Sequence, residues 1–535
     1  MPTLTWAGKE AVVNHHQKVP FHLLKDVPSL SVGDPGSGNL IVEGDNLVAL
    51  KALLPYYAGQ VKCIYIDPPY NTGNEKWVYN DNVNSPVIKK WLGQVVGDDA
   101  SDLSRHDKWL CMMYPRLQLL RKFLTHDGAI FISLDDNEIQ NLRSMMDEIY
   151  GGNNFVAVII WQKRTSPDAR LNLGPAHDYV VVYSKNKDAF KATMNKVPPS
   201  GERTKAYKNP DNDPRGPWAS TDLTGQTGHA TPDQYYSIPT PLGTTIKPPK
   251  GRCWALAEKT FLNLLTDNRI WFGKKGTSRP RLKKFLNETE GVTTWTWWPH
   301  TEVGHNQEAT KELNETLGTP DLFDNPKPTR LIKRILQLAT GKDSLILDSF
   351  AGSGTTGHAL VQLNKQDGGT RRFILVEMES KIARELTAER LRRVCSNFNN
   401  DTLSHDETDD NAFRFCTLGT ALFDQHGAIN PDVKYADLAR HVYFTETGEP
   451  LPHGKPVDSP LLGISNGVAI YLLFNGILGD RRANGGNILT RAILAQLPPF
   501  HGQKIIYAAG CLISEQRLRD LNIAFRQTPY EIKVT

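Results

Sequence analysis

Short apolar runs alternate with amphipathic stretches along this chain, and that rhythm predicts strands and helices in turn. Leu40–Leu54, LIVEGDNLVALKALL, reads as a strand, a turn at Gly44-Asp45 and a helix with Leu47, Leu50 and Leu54 on one face. Val61–Ile66, VKCIYI, is a buried strand. Trp109–Gly128 predicts an amphipathic helix with a proline near its start and Gly128 as its stop signal, followed by a strand at Ala129–Leu134. DDNEIQNLRSMMDEIYG has Asp and Asn where a helix begins and Gly151 where it ends. FVAVIIW and DYVVVYS are two further strands. Strands alternating with helices predict a parallel sheet covered on both faces.

The rhythm breaks after about Asn186. From there to Trp298 the chain carries Pro, Gly, Asn and Trp clusters, such as NPDNDPRGPWAS and PTPLGTTIKPPKGRCW, which predict short elements and long loops. It resumes with NPKPTRLIKRILQLAT (helix), SLILDSF (strand), GHALVQLN (helix) and RRFILVEM (strand), then a charged helix, SKIARELTAERLRRVC. The expected division is a polar arm at 1–35, an α/β half at 36–190, an insertion at 191–320, a second α/β half at 321–400, a polar linker (NFNNDTLSHDETDDNA) and a small α/β tail at 413–535.

Composition changes this picture in one respect. The whole chain of 535 residues carries a net charge of +4, yet Trp161–Asn287 holds 22 Lys and Arg against 10 Asp and Glu, a local +12 that leaves −8 elsewhere. A basic middle in an acidic remainder fits either a polyanionic partner or a solvated basic face. No basic-then-apolar leader opens the sequence, no run is long and apolar enough to span a membrane, and the six cysteines form no CxxC pair. Reduced, mostly buried thiols in a cytoplasm are expected, with no metal site.

LILDSFAGSGTTGHAL is a strand, a glycine-rich turn and a helix, and Gly352, Gly354 and Gly357 satisfy G-x-G-x-x-G. Such a turn lets backbone N–H groups approach a ligand in front of a helix N-terminus. Glu377 ends the next strand, where a carboxylate can accept from both ribose hydroxyls. A dinucleotide, S-adenosylmethionine and a plain tight turn all remain open on this motif. No Lys-Ser/Thr follows the last glycine, so it is not a Walker A loop.

The strand VKCIYI runs straight into Asp67-Pro68-Pro69-Tyr70. The exocyclic amine of adenine or cytosine is a poor nucleophile, because its lone pair is delocalised into the ring. Two acceptors beside it, the Asp67 carboxylate and the Pro68 carbonyl, can orient both N–H groups and favour a pyramidal nitrogen. The prolines bring no competing N–H and fix φ. Tyr70 offers a ring for stacking, worth roughly 1–3 kcal/mol per base.

Together DPPY and FAGSGTT resemble the S-adenosylmethionine-dependent amino-group DNA methyltransferases, and the order, catalytic motif before cofactor loop, resembles the beta class. VVNHH, VEGDNL, YNDN, MMYPRL, AIFISLDDNE, HDYVVVYSKN, RIWFGKKGTSRPRLKKFL, EVGHNQEATKEL and KPTRLIKRIL extend the resemblance to modification subunits of type III restriction systems, over roughly residues 10–400. The resemblance implies a Rossmann-like doubly wound methyltransferase sheet with an inserted target-recognition domain. It implies adenine N6 as target, with cytosine N4 methylation or a stand-alone regulatory enzyme as alternatives; an NAD-dependent oxidoreductase is the distant rival that the glycine turn alone permits. Asp67, Pro68, Pro69 and Tyr70 would hold the flipped base. Asp348, Phe350, Gly352, Gly354 and Thr355 would line the cofactor, with Glu377 on its ribose and Asp45 near its adenine, although Asp45 equally reads as a helix cap. Lys327-Pro328 would shape the methionine pocket or simply start a helix. Ser349 stands where such proteins often carry Pro or Phe. Arg252, Lys274, Lys275, Arg279, Arg281, Lys283 and Lys284 are the expected DNA contacts, with binding steeply salt-dependent. Trp295, Trp297 and Trp298 read as a core cluster or a stacking platform. The implied partners are double-stranded DNA, a second copy of the chain and a helicase–nuclease restriction subunit, in a prokaryotic or phage setting.

Overall fold

A computed structural model of the chain describes residues 3–33, 38–72, 93, 104–167, 172–198, 202–288, 291–320, 322–399, 412–424, 426–449, 451, 457–479 and 486–529. The YNDN stretch at 79–82 and most of the linker at 397–412 lie outside them. The chain divides into a main unit, 1–195 with 296–535, and a second unit, 196–295.

The main unit is built on a ten-stranded sheet. Its strands, in chain order, are β1 (His22–Asp26), β2 (Leu40–Glu43), β3 (Val61–Ile66), β4 (Leu124–Leu134), β5 (Phe155–Gln162), β6 (His177–Ser184), β7 (Trp297–Trp298), β8 (Leu345–Asp348), β9 (Arg372–Glu377) and β10 (Arg414–Ala421). Their spatial order is β1-β10-β2-β9-β8-β3-β4-β6-β5-β7. The central strands are mostly apolar, as a sheet covered on both faces requires; β8 is buried along its whole length. The expected all-parallel sheet is corrected at two places. β6 runs antiparallel to both β4 and β5, and β1 runs antiparallel to β10. No helix is seen between β5 and β6 among the described residues, so this pair needs no crossover.

Two helices show how local signals set the frame. Helix α1 (Asn46–Tyr57) starts where the Asp45 carboxylate accepts from the N–H groups of Leu47 and Val48. Helix α2 spans Arg105–Phe123, not Trp109–Gly128. Ser104 and Asp107 form a capping box that starts it four residues earlier, and at Leu124 the backbone turns extended, so Gly128 lies inside β4.

The N-terminal segment is not the loose arm its polarity suggests. Trp6, Val12, Val19 and Phe21 are buried, and the buried Lys51 ammonium donates to the carbonyls of His16 and Gln17. The tail is also less separate than expected. β10 lies inside the main sheet, and Leu438, Val442, Ile470 and Tyr507 join the same apolar cluster as β2 and β3. Beyond β10 the tail adds a four-stranded sheet in the order 461–465, 468–472, 503–508, 523–527. All six cysteines are free thiols, five of them buried. Among the described residues no helix is long and apolar enough to cross a membrane.

The second unit is narrower than the 191–320 insertion. Helices His300–Val303 and Asn306–Leu317 belong to the main unit, where Leu313 and Leu317 pack on Leu386. The second unit holds a three-stranded antiparallel sheet in which Arg281–Phe285 is central, two short ribbons and helix Glu258–Thr266. Leu223, Ile238, Trp254, Phe261, Ile270 and Phe272 form its core.

Candidate active site

Strands β3 and β8 are parallel neighbours, with Leu347 opposite Ile64. Asp67, just past β3, and Asp348, the last residue of β8, therefore emerge at the same carboxyl edge of the sheet although 281 positions separate them. That edge is where ligands of open α/β sheets bind. One recess there is lined by Asp67, Lys327, Asp348, Phe350, Gly352 and Thr355, among others. The strand-end acid and the glycine turn, far apart in the sequence, thus share a single cavity.

The two oxygens of Asp67 have different surroundings. Oδ2 accepts from the Lys327 ammonium at 2.5 Å. Oδ1 is buried and has no partner among the described residues. The Lys327 ammonium also lies over the Tyr70 ring, 5.0 Å from its centroid. Tyr70 is buried, its hydroxyl has no partner among the described residues, and burial pushes that hydroxyl well above the ordinary tyrosine range. Pro68 and Pro69 are buried. Pro69 uses its carbonyl to accept from the indole N–H of Trp109 at 2.7 Å, which fixes the tetrapeptide against α2.

Asn71, immediately after Tyr70, adopts a left-handed conformation (φ 58°). Its amide donates to the Arg105 carbonyl at 3.1 Å and to the Glu138 carboxylate. Glu138 is fully buried and also bonds the His106 ring (2.6 Å) and the Asn141 amide (2.6 Å). The turn that presents Tyr70 is therefore tied to α2 and to the helix that Glu138 precedes.

The glycine turn is held from behind. Gly354, at φ 76°, caps helix α4 (Thr355–Asp367), and a Cβ there would come within 3.2 Å of Thr387 Cγ2. The buried Arg390 guanidinium donates to the Ser353 carbonyl (3.2 Å) and to the hydroxyls of Ser353 (3.0 Å) and Thr355 (2.9 Å). Asp348 accepts from the Phe350 N–H (3.0 Å) and the Thr356 hydroxyl (2.5 Å), yet burial pushes its carboxyl up to about 7.

Two further expected cofactor contacts are bonded within the protein itself. The Glu377 carboxylate accepts from the N–H groups of Gly352 and Glu379, both at 2.9 Å, and is not among the residues lining the recess. Its observed work is to fasten the turn. Asp45 is likewise outside the recess; besides capping α1 it accepts from the buried Arg116 guanidinium at 3.1 Å. Lys327 lines the recess, and Pro328 is the N-cap of helix α3 (Thr329–Ala339).

In the second unit Arg252, Lys274, Lys275, Arg279, Arg281 and Lys284 are exposed. Lys283 is not: it is buried, with its ammonium bonded to Asp211 and to Asp213, so it is withdrawn from the set of expected DNA contacts. Trp298 is fully buried in the sheet, whereas Trp295 and Trp297 are exposed.

Sequence reasoning missed Trp109, Glu138, Thr387 and Arg390. None has a spacing signal, because each acts through a partner distant in the chain. It named Lys327 without its partner, 260 residues away.

Comparison with known proteins agrees with this geometry. A family model described as DNA methylase (N6_N4_Mtase) matches residues 61–389. The Mod subunit of the type III restriction-modification enzyme StyLTI from Salmonella typhimurium is 37% identical over 440 residues, covering 77% of this chain and 64% of that protein. The EcoPI Mod subunit of Escherichia phage P1 is 32% identical over 428 residues, covering 71% and 64%. The type II methyltransferase M.KpnI of Klebsiella pneumoniae is 28% identical over 410 residues, covering 70% and 92%. The chain thus spans a little under two thirds of the length of the two Mod subunits. With the family match running from the first residue of β3 through the glycine turn to Glu389, the chain belongs to the DNA methylase family.

Proposed function

We propose that the chain moves a methyl group from S-adenosylmethionine to N6 of an adenine flipped out of double-stranded DNA, as the modification subunit of a restriction-modification or related defence system. One observation carries the reading: a buried carboxylate oxygen without a partner among the described residues, beside an aromatic ring, in the same recess as a glycine turn.

The residues fit that cofactor. Gly352 and Gly354 allow close backbone approach, Phe350 offers an apolar wall, and the buried Asp348 suits an ammonium group. When bound, S-adenosylmethionine supplies a methyl on a sulfonium: the C–N bond forms as the S–C bond breaks, the thioether leaves neutral, and the amine gives up one proton to solvent. The rest is positioning. Asp67 Oδ1 accepts one amine N–H and the Pro68 carbonyl the other, which turns the nitrogen lone pair out of the ring plane. Tyr70 stacks on the extruded base and offsets part of the few kcal/mol that flipping costs. The exposed basic residues of the second unit contact phosphates and base edges.

The Asp348 carboxyl gives a pH signature. Its value of about 7 means that an ammonium ligand meets an ionised partner above that pH and a neutral one below it. Affinity for S-adenosylmethionine is expected to fall as pH drops through 7, and Asp348→Asn to weaken binding about tenfold at pH 8 while flattening that dependence. Calorimetry from pH 6 to 8 measures both.

The relatives named as Mod subunits of restriction-modification enzymes support a companion restriction subunit in a bacterial or phage-host cytoplasm; assembly as a homodimer is part of the proposal. The test is the DNA of a host expressing the chain, digested to nucleosides for mass spectrometry and sequenced for modified positions. N6-methyladenine at one short motif is the expected result. N4-methylcytosine in its place would move the assignment to the other amine that carries two N–H donors. DNA without either base would overturn the reading.

A further inference from the structure

We infer that Lys327 is a positioning residue for the target amine: by holding Oδ2 of Asp67 it leaves Oδ1 as the acceptor that meets the base. This rests on the function proposed above, and it moves Lys327 from the cofactor to the base side of the recess.

A carboxylate with two free oxygens can rotate and present either one. Here the rotation is blocked, because the Lys327 ammonium sits 2.5 Å from Oδ2 while Oδ1 is buried without a partner among the described residues. Both side chains are withdrawn from water, Lys327 at 7% and Asp67 at 14% exposure. An ammonium and a carboxylate at that depth are tolerated by pairing with each other. Another acid within electrostatic reach of Lys327, Asp178, is already held by the Lys163 ammonium. The ion pair that the geometry shows is the one with Asp67, whose Oδ2 takes the Lys327 ammonium.

The backbone around Lys327 is stiff. The run is Asn325-Pro326-Lys327-Pro328, with Asn325 at φ 51° and each proline fixing its own φ. Pro328 caps α3, whose Leu331, Ile332 and Ile335 are buried. The stem of Lys327 therefore leaves a fixed point and brings one ammonium to both residues of the base jaw, the Asp67 carboxylate and the face of the Tyr70 ring. An ammonium so placed couples the acceptor for the amine to the surface on which the base stacks.

Lys327→Met keeps the stem and removes the charge. Steady-state methylation of unmodified genomic DNA, with calorimetric titration of S-adenosylmethionine into the full chain, should show kcat at saturation down by about 30-fold or more and the cofactor dissociation constant within about 3-fold. The charge-balanced double variant Asp67→Asn/Lys327→Met should bind S-adenosylmethionine as the wild type does and be no slower than Asp67→Asn alone, because Lys327 acts through Asp67. It also keeps the test alive if the single Met variant fails to fold. A tenfold or greater loss of cofactor affinity with kcat retained at saturation overturns the inference and returns Lys327 to the cofactor pocket. Losses that multiply in the double variant also overturn it. Wild-type protein that methylates no DNA overturns the proposed function instead, so the two failures are distinguishable.

Discussion

Asp67→Ala is expected to remove methyl transfer, by about 1000-fold or more in kcat, while calorimetric affinity for S-adenosylmethionine changes by less than about 3-fold. The split follows from the geometry. The carboxylate contributes a buried oxygen to the recess that no described residue partners, and the proposed amine contact uses that oxygen and nothing else on the side chain. The glycine turn is held independently, by Glu377, Thr387 and Arg390, through bonds that do not involve Asp67. Truncation leaves the Lys327 ammonium without its partner, which is destabilising at that depth. Some loss of stability should therefore accompany the loss of turnover, and Asp67→Asn separates the two effects. Should Asp67→Ala retain turnover and lose cofactor binding, Asp67 belongs to the cofactor site and the base assignment fails.

Trp109→Ala carries the largest expected stability effect, about 3–5 kcal/mol, read as a lower denaturant midpoint for the main unit. The indole is fully buried in α2, and its N–H donates to the Pro69 carbonyl. Trp109→Phe is the more informative variant. It keeps most of the apolar volume but leaves that carbonyl without its donor, at a cost of about 1–3 kcal/mol. Because Pro69 lies between Pro68 and Tyr70, the Phe variant should also slow methylation about tenfold. Full activity in a destabilised Phe variant would confine Trp109 to packing.

Much of this site was legible in the sequence for two physical reasons. Strands β3, β8 and β9 are buried along most of their length, so they read as mostly apolar runs whatever surrounds them. Asp-Pro-Pro-Tyr and the glycine turn use residue types with narrow conformational roles, and such types announce themselves. What escaped depends on contacts between distant segments. The basic look of Lys283 says nothing of Asp211 and Asp213, the acids about seventy positions earlier that take it into the interior. The polar surface of Asn306–Leu317 disguises a helix whose Ala309, Leu313 and Leu317 are buried in the main unit. The direction of β6 and the packing of the first 21 residues are likewise decided by partners and not by local pattern.

The strand order β1-β10-β2 has a consequence for biosynthesis. Within this sheet the earliest strand to leave the ribosome pairs with the latest, so His22–Asp26 waits until Arg414–Ala421 has been made. A prematurely terminated product lacking β10 would leave β1 unpaired and one edge of β2 bare, a state prone to aggregation and proteolysis. The seam of the sheet can therefore close only once synthesis has passed β10.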